Sequence, residues 1–343
     1  MMSADRISLA ALLLLLSITG ATPGRAVITL DEPGRRVAPQ SGPAAHCGWQ
    51  YEGEWGAFLG TAIAPHFFLT AKHVGGAIGQ AFQFQGRGYT TVEVIRSPDS
   101  DLAVWRVEET LPTFAPLFTG NDEVGRSVVV FGRGTARGIP ITIGGKPRGW
   151  RWGDADHAIS WGRNVVVGVT ADPPHADGAT PAPHLSNPRL IFTFDARDGA
   201  ESTCHISTGD SGGGIFTPVG DTWQLAGIVW GFAGGFAASK TDSVGFNAAL
   251  FDCRGFYLAT SIAASPEQST PIAGEAPVPG EWYATRVSGN QDFLRQALAT
   301  GARPPLTHAL PPRLRRFTLF TSLLFSSAAG VAIVTLVRRR RRS

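Results

Sequence analysis

The chain has 343 residues, 43% of them hydrophobic, with 42 Gly and 24 Pro. That composition argues against a helical bundle and for a loop-rich globular protein. The formal charge of +3 sits at the ends: residues 27–312 hold 20 basic and 26 acidic side chains, a net of −6, which removes any electrostatic case for binding nucleic acid.

The first element in chain order is Arg6 followed by the apolar run Leu9–Ile18 and the small residues Gly20-Ala21 and Gly24-Arg25-Ala26. A basic start, a short apolar core and a small-residue exit describe a secretory signal peptide over residues 1–26. Cleavage after Ala26 would leave Val27 first; cleavage after Ala21 would leave Thr22.

From Cys47 to Leu258 the sequence reads as short strands. They are expected over Phe67–Thr70, Thr91–Ile95, Leu102–Val107, Ser127–Phe131, Ile141–Ile143, Asn164–Val169, Leu190–Phe194, Gly213–Phe216, Gln224–Val229 and Gly245–Leu250. Clusters of Gly, Pro, Asn and Asp separate them, and no long stretch has a 3.6-residue period. This predicts an all-β barrel or sandwich. The three cysteines, Cys47, Cys204 and Cys253, allow at most one internal bridge, and Cys204–Cys253 is the preferred pair because both lie in the same half. Pro173–Pro188 reads as an exposed loop. Its His175, Asp177 and His184 match no ligand spacing, so neither a metal nor an organic cofactor is expected.

Ser265–Glu281 contains four Pro and reads as a linker, within a Pro-rich tail over residues 263–312 that also holds a short helix at Asn290–Thr300. The end of the chain, residues 313–343, is a candidate membrane anchor. Phe317–Val337 carries no charge over 21 residues and as a helix would span about 31 Å. Arg338–Arg342 follow without a break, which keeps that end in the cytoplasm and the body outside. The sequence carries no signal for an oligomeric state.

Three segments carry candidate chemistry. Thr208-Gly209-Asp210-Ser211-Gly212-Gly213 places a serine in a glycine-rich turn, where backbone amides can point at a developing oxyanion; Gly209 and Ser211 are the natural donors. Phe67–Thr70 leads through Ala71-Lys72 to His73, a base at a strand end. Asp101 opens the apolar strand Leu102–Val107, with Asp99 as a competitor. A serine hydroxyl needs such a base to become a nucleophile. The order His73, Asp101, Ser211 is one of three known chain orders for such a triad, and differs from the other two.

On these residues the chain resembles the trypsin-like (chymotrypsin-type) serine peptidases. Thr70-Ala71-Lys72-His73-Val74 is similar to that family's Thr-Ala-Ala-His-Cys. Asp101-Leu102-Ala103 is similar to its Asp-Ile-Ala, and Gly209-Asp210-Ser211-Gly212-Gly213 is its nucleophile motif unchanged. Gly227-Ile228-Val229-Trp230-Gly231 is similar to its Gly-Ile-Val-Ser-Trp-Gly, one residue shorter. The resemblance implies two six-stranded antiparallel β-barrels with the active site in the cleft between them, in a domain over residues 27–262. It implies a serine endopeptidase acting on protein or peptide substrates. His205, Trp230 and Gly231 would then border the specificity pocket, with His205 favouring an acidic or aromatic residue, or having no such role. Asp210 would pair with a new N-terminus, which a cut after Ala26 would supply as Val27. Val74 and Gly214 depart from the family's Cys and Pro. An inactive protease-fold binding protein and an esterase using the same triad are the alternatives. The C-terminal helix with its arginine run also resembles PEP-CTERM sorting tails, with Pro311-Pro312 in place of Pro-Glu-Pro.

Overall fold

The computed structural model describes residues 26–30, 38, 44–171, 188–196, 203–239, 245–258 and 271–301. The apolar segments 9–18 and 317–337 and the loop with His175, Asp177 and His184 lie outside these. Among the described residues no helix is long and apolar enough to cross a membrane.

Residues 52–107 form a closed six-stranded barrel. Its strands are β1 (Glu52–Trp55), β2 (Phe58–Ala64), β3 (Phe67–Ala71), β4 (Ala81–Phe84), β5 (Arg87–Arg96) and β6 (Leu102–Val107), hydrogen-bonded in the order β1-β2-β3-β6-β5-β4. Closure leaves no free edge. Aromatic side chains fill the interior: Phe68 stacks on Phe82 at 4.1 Å and Trp55 meets Trp105 at 4.7 Å.

The remaining long strands are β7 (Ser127–Gly132), β8 (Thr135–Ile143), β9 (Lys146–Ala155), β10 (Ser160–Val165), β11 (Gly168–Thr170), β12 (Arg189–Thr193), β13 (Gly214–Val219), β14 (Thr222–Phe232), β15 (Ala248–Leu250) and β16 (Glu281–Arg286). Seven of them make one antiparallel sheet in the order β10-β7-β13-β14-β16-β12-β11, and β15-β9-β8 make a smaller one. The two edge strands of the large sheet, β10 and β11, are consecutive in the chain and joined only by Val166-Val167.

Alternation explains how the large sheet is covered on both faces. In β7, Val128 and Val130 join Phe192, Ile215 and Trp282 in one core, while Val129 and Phe131 join Phe216, Ile228 and the barrel residues Leu59, Leu69 and Val104 in another. That second core ties the sheet to the barrel. Helix α1 (Gln291–Gly301) adds Leu294 and Ala297 to it.

Three expectations change. Asn164–Val169 is not one strand: the chain leaves β7 at Val165 and pairs with β12 from Gly168. The segment beyond residue 262 is more than a linker, because β16 lies between β14 and β12 inside the sheet; the short helix at its end is present as α1. No Cys204–Cys253 bridge forms. All three cysteines are free and buried in three different core clusters, and burial pushes each thiol pKa upward.

Candidate active site

Strand register brings His73 and Asp101 together. β3 pairs antiparallel with β6, Ala71 facing Leu102, so the residues just past each strand end meet at the barrel rim. The Ser97 hydroxyl accepts the backbone N–H groups of Asp99 and Ser100, and this turn delivers Asp101 to the strand start while leaving Asp99 outside the site. Asp101 Oδ1 accepts the His73 backbone N–H at 2.9 Å and Oδ2 lies 2.6 Å from His73 Nδ1. The opposite ring nitrogen, Nε2, lies 2.9 Å from Ser211 Oγ. With the carboxylate accepting from Nδ1–H, Nε2 is left to accept from the serine hydroxyl. Asp101 is buried and the His73 ring is 41% exposed, so the chain of bonds runs from the interior outward.

The serine sits in a loop pressed against the barrel. Gly212 has φ +81°, and a Cβ there would lie 2.3 Å from Thr70 Oγ1 and 2.4 Å from the Leu59 carbonyl. Only glycine fits. The Thr70 hydroxyl donates to that same carbonyl, which fixes the surface the loop rests on. Within the loop Asp210 N–H donates to Ser207 O, Gly212 N–H to Val229 O and Gly213 N–H to Asp210 O. The N–H groups of Gly209 and Ser211 donate to no acceptor among the described residues. Two unused donors therefore lie at the serine and two residues before it, while the N–H groups of Asp210, Gly212 and Gly213 are committed, a pattern that suits an oxyanion site.

Asp210 is fully buried beneath this loop. Its carboxylate accepts from Gly134 N–H (2.8 Å), Ser207 N–H (2.7 Å) and the Ser207 hydroxyl (3.0 Å), and the nearby Val27 backbone N–H weakly favours its ionised form. Burial outweighs these bonds and pushes its pKa up to about 6. Ala26, Val27 and Ile28 are wholly buried, and Val27 has φ +55°, a strained value for a β-branched residue. Ile28 and Thr29 pair with His205 and Cys204, and Arg137 donates to the carbonyls of Thr29 and Leu30. Sequence reasoning named Asp210 and Val27 but missed Gly134, Ser207 and Arg137. The glycines of Gly132-Arg133-Gly134 were the available signal, since a side chain at either would strike Asp210.

The sequence-predicted pocket residues divide. A Cβ at Gly231 would meet nothing within 4 Å, so the wall there is open. Trp230 falls at a bulge where the β14–β16 register slips, and its ring lies 3.9 Å from the Arg189 guanidinium. His205 is buried between Phe194 and Phe232, and burial lowers its pKa to about 4. A neutral imidazole offers no charge to an acidic side chain. Glu52 was not anticipated. Its buried carboxyl accepts the Thr61 hydroxyl at 2.8 Å and faces Gly214 N–H at 3.3 Å, and burial pushes its pKa up to about 8. A Cβ at position 214 would lie 2.4 Å from Glu52 Oε1, which accounts for glycine there.

Among the described residues no cluster of His, Cys, Asp and Glu is arranged to hold a metal ion. No family model matches the chain, and no curated protein matches it in sequence.

Proposed function

We propose that the chain is an exported serine endopeptidase of the trypsin-like type, with His73, Asp101 and Ser211 as its triad. The observation that carries this reading is the bonded series Asp101–His73–Ser211 beside two unspent amide donors at Gly209 and Ser211. Each part has a bland use alone; together they supply nucleophile, base, orienting carboxylate and oxyanion donors. The large sheet is read as the second barrel of a two-barrel molecule, since its edge strands are joined by two residues.

In the proposed reaction Ser211 Oγ attacks the scissile carbonyl carbon as its proton passes to His73 Nε2. The carbonyl oxygen gains the negative charge and accepts from the Gly209 and Ser211 N–H groups. Asp101 holds the imidazole and stabilises its cation. The tetrahedral centre collapses, the C–N bond breaks, and His73 gives its proton to the departing amine. Water repeats the sequence on the acyl-serine and restores Ser211. In this reading the site lies outside the cytoplasmic membrane, and the apolar segment Phe317–Val337 anchors it.

The test is labelling with a fluorophosphonate followed by cleavage-site profiling on a peptide library. Labelling at Ser211 and peptide cleavage are expected. Absence of labelling in the mature protein would favour the inactive binding protein, and ester turnover without peptide turnover would favour the esterase.

A further inference from the structure

A cavity of about 850 Å³ shares no lining residue with the triad or with the loop around Ser211. It opens where the start of β7 and the end of β10 meet the β13–β14 turn and the segment before β1. Its size falls within the range of small-ligand sites.

Two features of its wall bear on what the cavity could hold. The first is apolar: Val165 and Val167 are 38% and 48% exposed, and both line the cavity beside the half-buried rings of Tyr51 and Trp223. Adjacent exposed apolar side chains in a concavity mark a place where something else supplies the cover. The second is a charge. Arg163 is half-buried, its guanidinium lies 6.0 Å from the Trp161 ring, and it forms no ion pair among the described residues. Elsewhere around the sheet Arg286 pairs with Glu123 and Arg148 with Asp252, while Arg137 donates to backbone carbonyls. Besides Arg163 and Tyr51, the titratable groups of the described lining are His46 and Asp221. Both are exposed to solvent, where a charge interacts weakly.

We propose that this cavity is a second, non-catalytic binding site for an amphipathic monocarboxylate. Its apolar chain lies along Val165, Val167, Tyr51 and Trp223, and its carboxylate meets Arg163. A planar guanidinium matches one carboxylate through two parallel hydrogen bonds. An apolar chain removes the valines from water at about 25 cal/mol per Å². Among the described lining residues Arg163 is the one permanently charged cation, which favours a single carboxylate over a polyanion or a neutral alcohol.

The experiment uses the full chain in membranes, in its Ser211→Ala form so that the outcome does not depend on the proposed activity. The probe is a ten-carbon carboxylic acid carrying a diazirine, with adducts mapped by peptide mass spectrometry. Adducts are expected at residues 44–51, 163–167 and 218–223. Excess decanoate should suppress them at least about fivefold, and decan-1-ol at the same concentration should not. Arg163→Gln should lower them by a similar factor, and Val167→Glu, at an exposed position, should do so independently by repelling the carboxylate. Labelling of residues 317–337 serves as the internal measure of simple partition and should change in neither variant. Adducts confined to 317–337, equal suppression by the alcohol, or full cavity labelling in both variants would overturn the proposal.

Discussion

At the scale of single residues the proposed chemistry makes direct demands. Ser211→Ala removes the nucleophile and should lower peptide hydrolysis by about 10⁴-fold or more, measured as kcat/KM; retained activity would end the serine-peptidase reading. Gly212→Ala adds a methyl group 2.3 Å from Thr70 Oγ1 at a φ of +81°. The loop must lift from the barrel, so fluorophosphonate labelling should fall steeply and stability by about 1–3 kcal/mol. An unchanged labelling rate would show that the loop does not depend on this contact. Glu52 gives a pH prediction. Its folded pKa of about 8 lies above the ordinary 4.5, so the native protein holds a proton that the unfolded chain releases between those values. Glu52 therefore costs nothing below about pH 4.5, and its contribution erodes as pH rises toward 8. In Glu52→Gln, which keeps the shape without the titration, the Tm should decline less between pH 5 and 8 than in the parent. Parallel curves would refute this. The triad was legible because each member sits in a short local motif. Glu52 and Arg137 were not, because their partners Gly214 and Thr29 are 162 and 108 residues away.

At the scale of elements, most strands were visible as apolar runs between turn residues, and Leu102–Val107 was read with its observed ends. The failures have identifiable causes. Val165-Val166-Val167 is one apolar run, yet the chain changes partner strand within it, and periodicity carries no information about partners. β16 was hidden because Pro277 and Pro279 precede it and its four central residues are all buried, which erases the period of two. This strand supplies a prediction. Trp282 and Tyr283 are buried in the sheet, and losing a large buried aromatic costs about 3–5 kcal/mol against a typical net stability of about 5–15 kcal/mol. A chain stopped after Ile262 should not fold, whereas one stopped after Pro312 should yield a soluble domain that labels at Ser211. Near-ultraviolet circular dichroism of the two truncations decides between this and an independent domain ending at residue 262.

At the scale of the whole molecule, the buried segment Ala26–Ile28 and the loop around Ser211 are coupled. Asp210 sits within reach of the Val27 nitrogen, and with only neutral donors around it its pKa is pushed up to about 6. For the uncut chain that means stability lost as pH rises from about 4 through 6, the window in which the buried carboxyl must ionise. A cut after Ala26 turns the Val27 N–H into an ammonium, gives the carboxylate a counter-charge and removes the φ strain at Val27. N-terminal sequencing should therefore find Val27 first. Acetylating that amine should abolish activity while leaving the fold, and a mature chain beginning at Thr22 would refute the scheme. The place of β16 in the sheet has a further consequence, in time. The barrel needs only residues 52–107 for its hydrogen bonding, so a chain emerging N-terminus first can close it early. The sheet that holds Ser211 keeps a gap at its middle until residue 286 has arrived. His73 and Asp101 are thus in position while the serine still lacks its support, so under the proposed function a partly emerged chain is not yet a working peptidase. The order of synthesis itself would then delay the proposed nucleophile until the strand ending at residue 286 has been made.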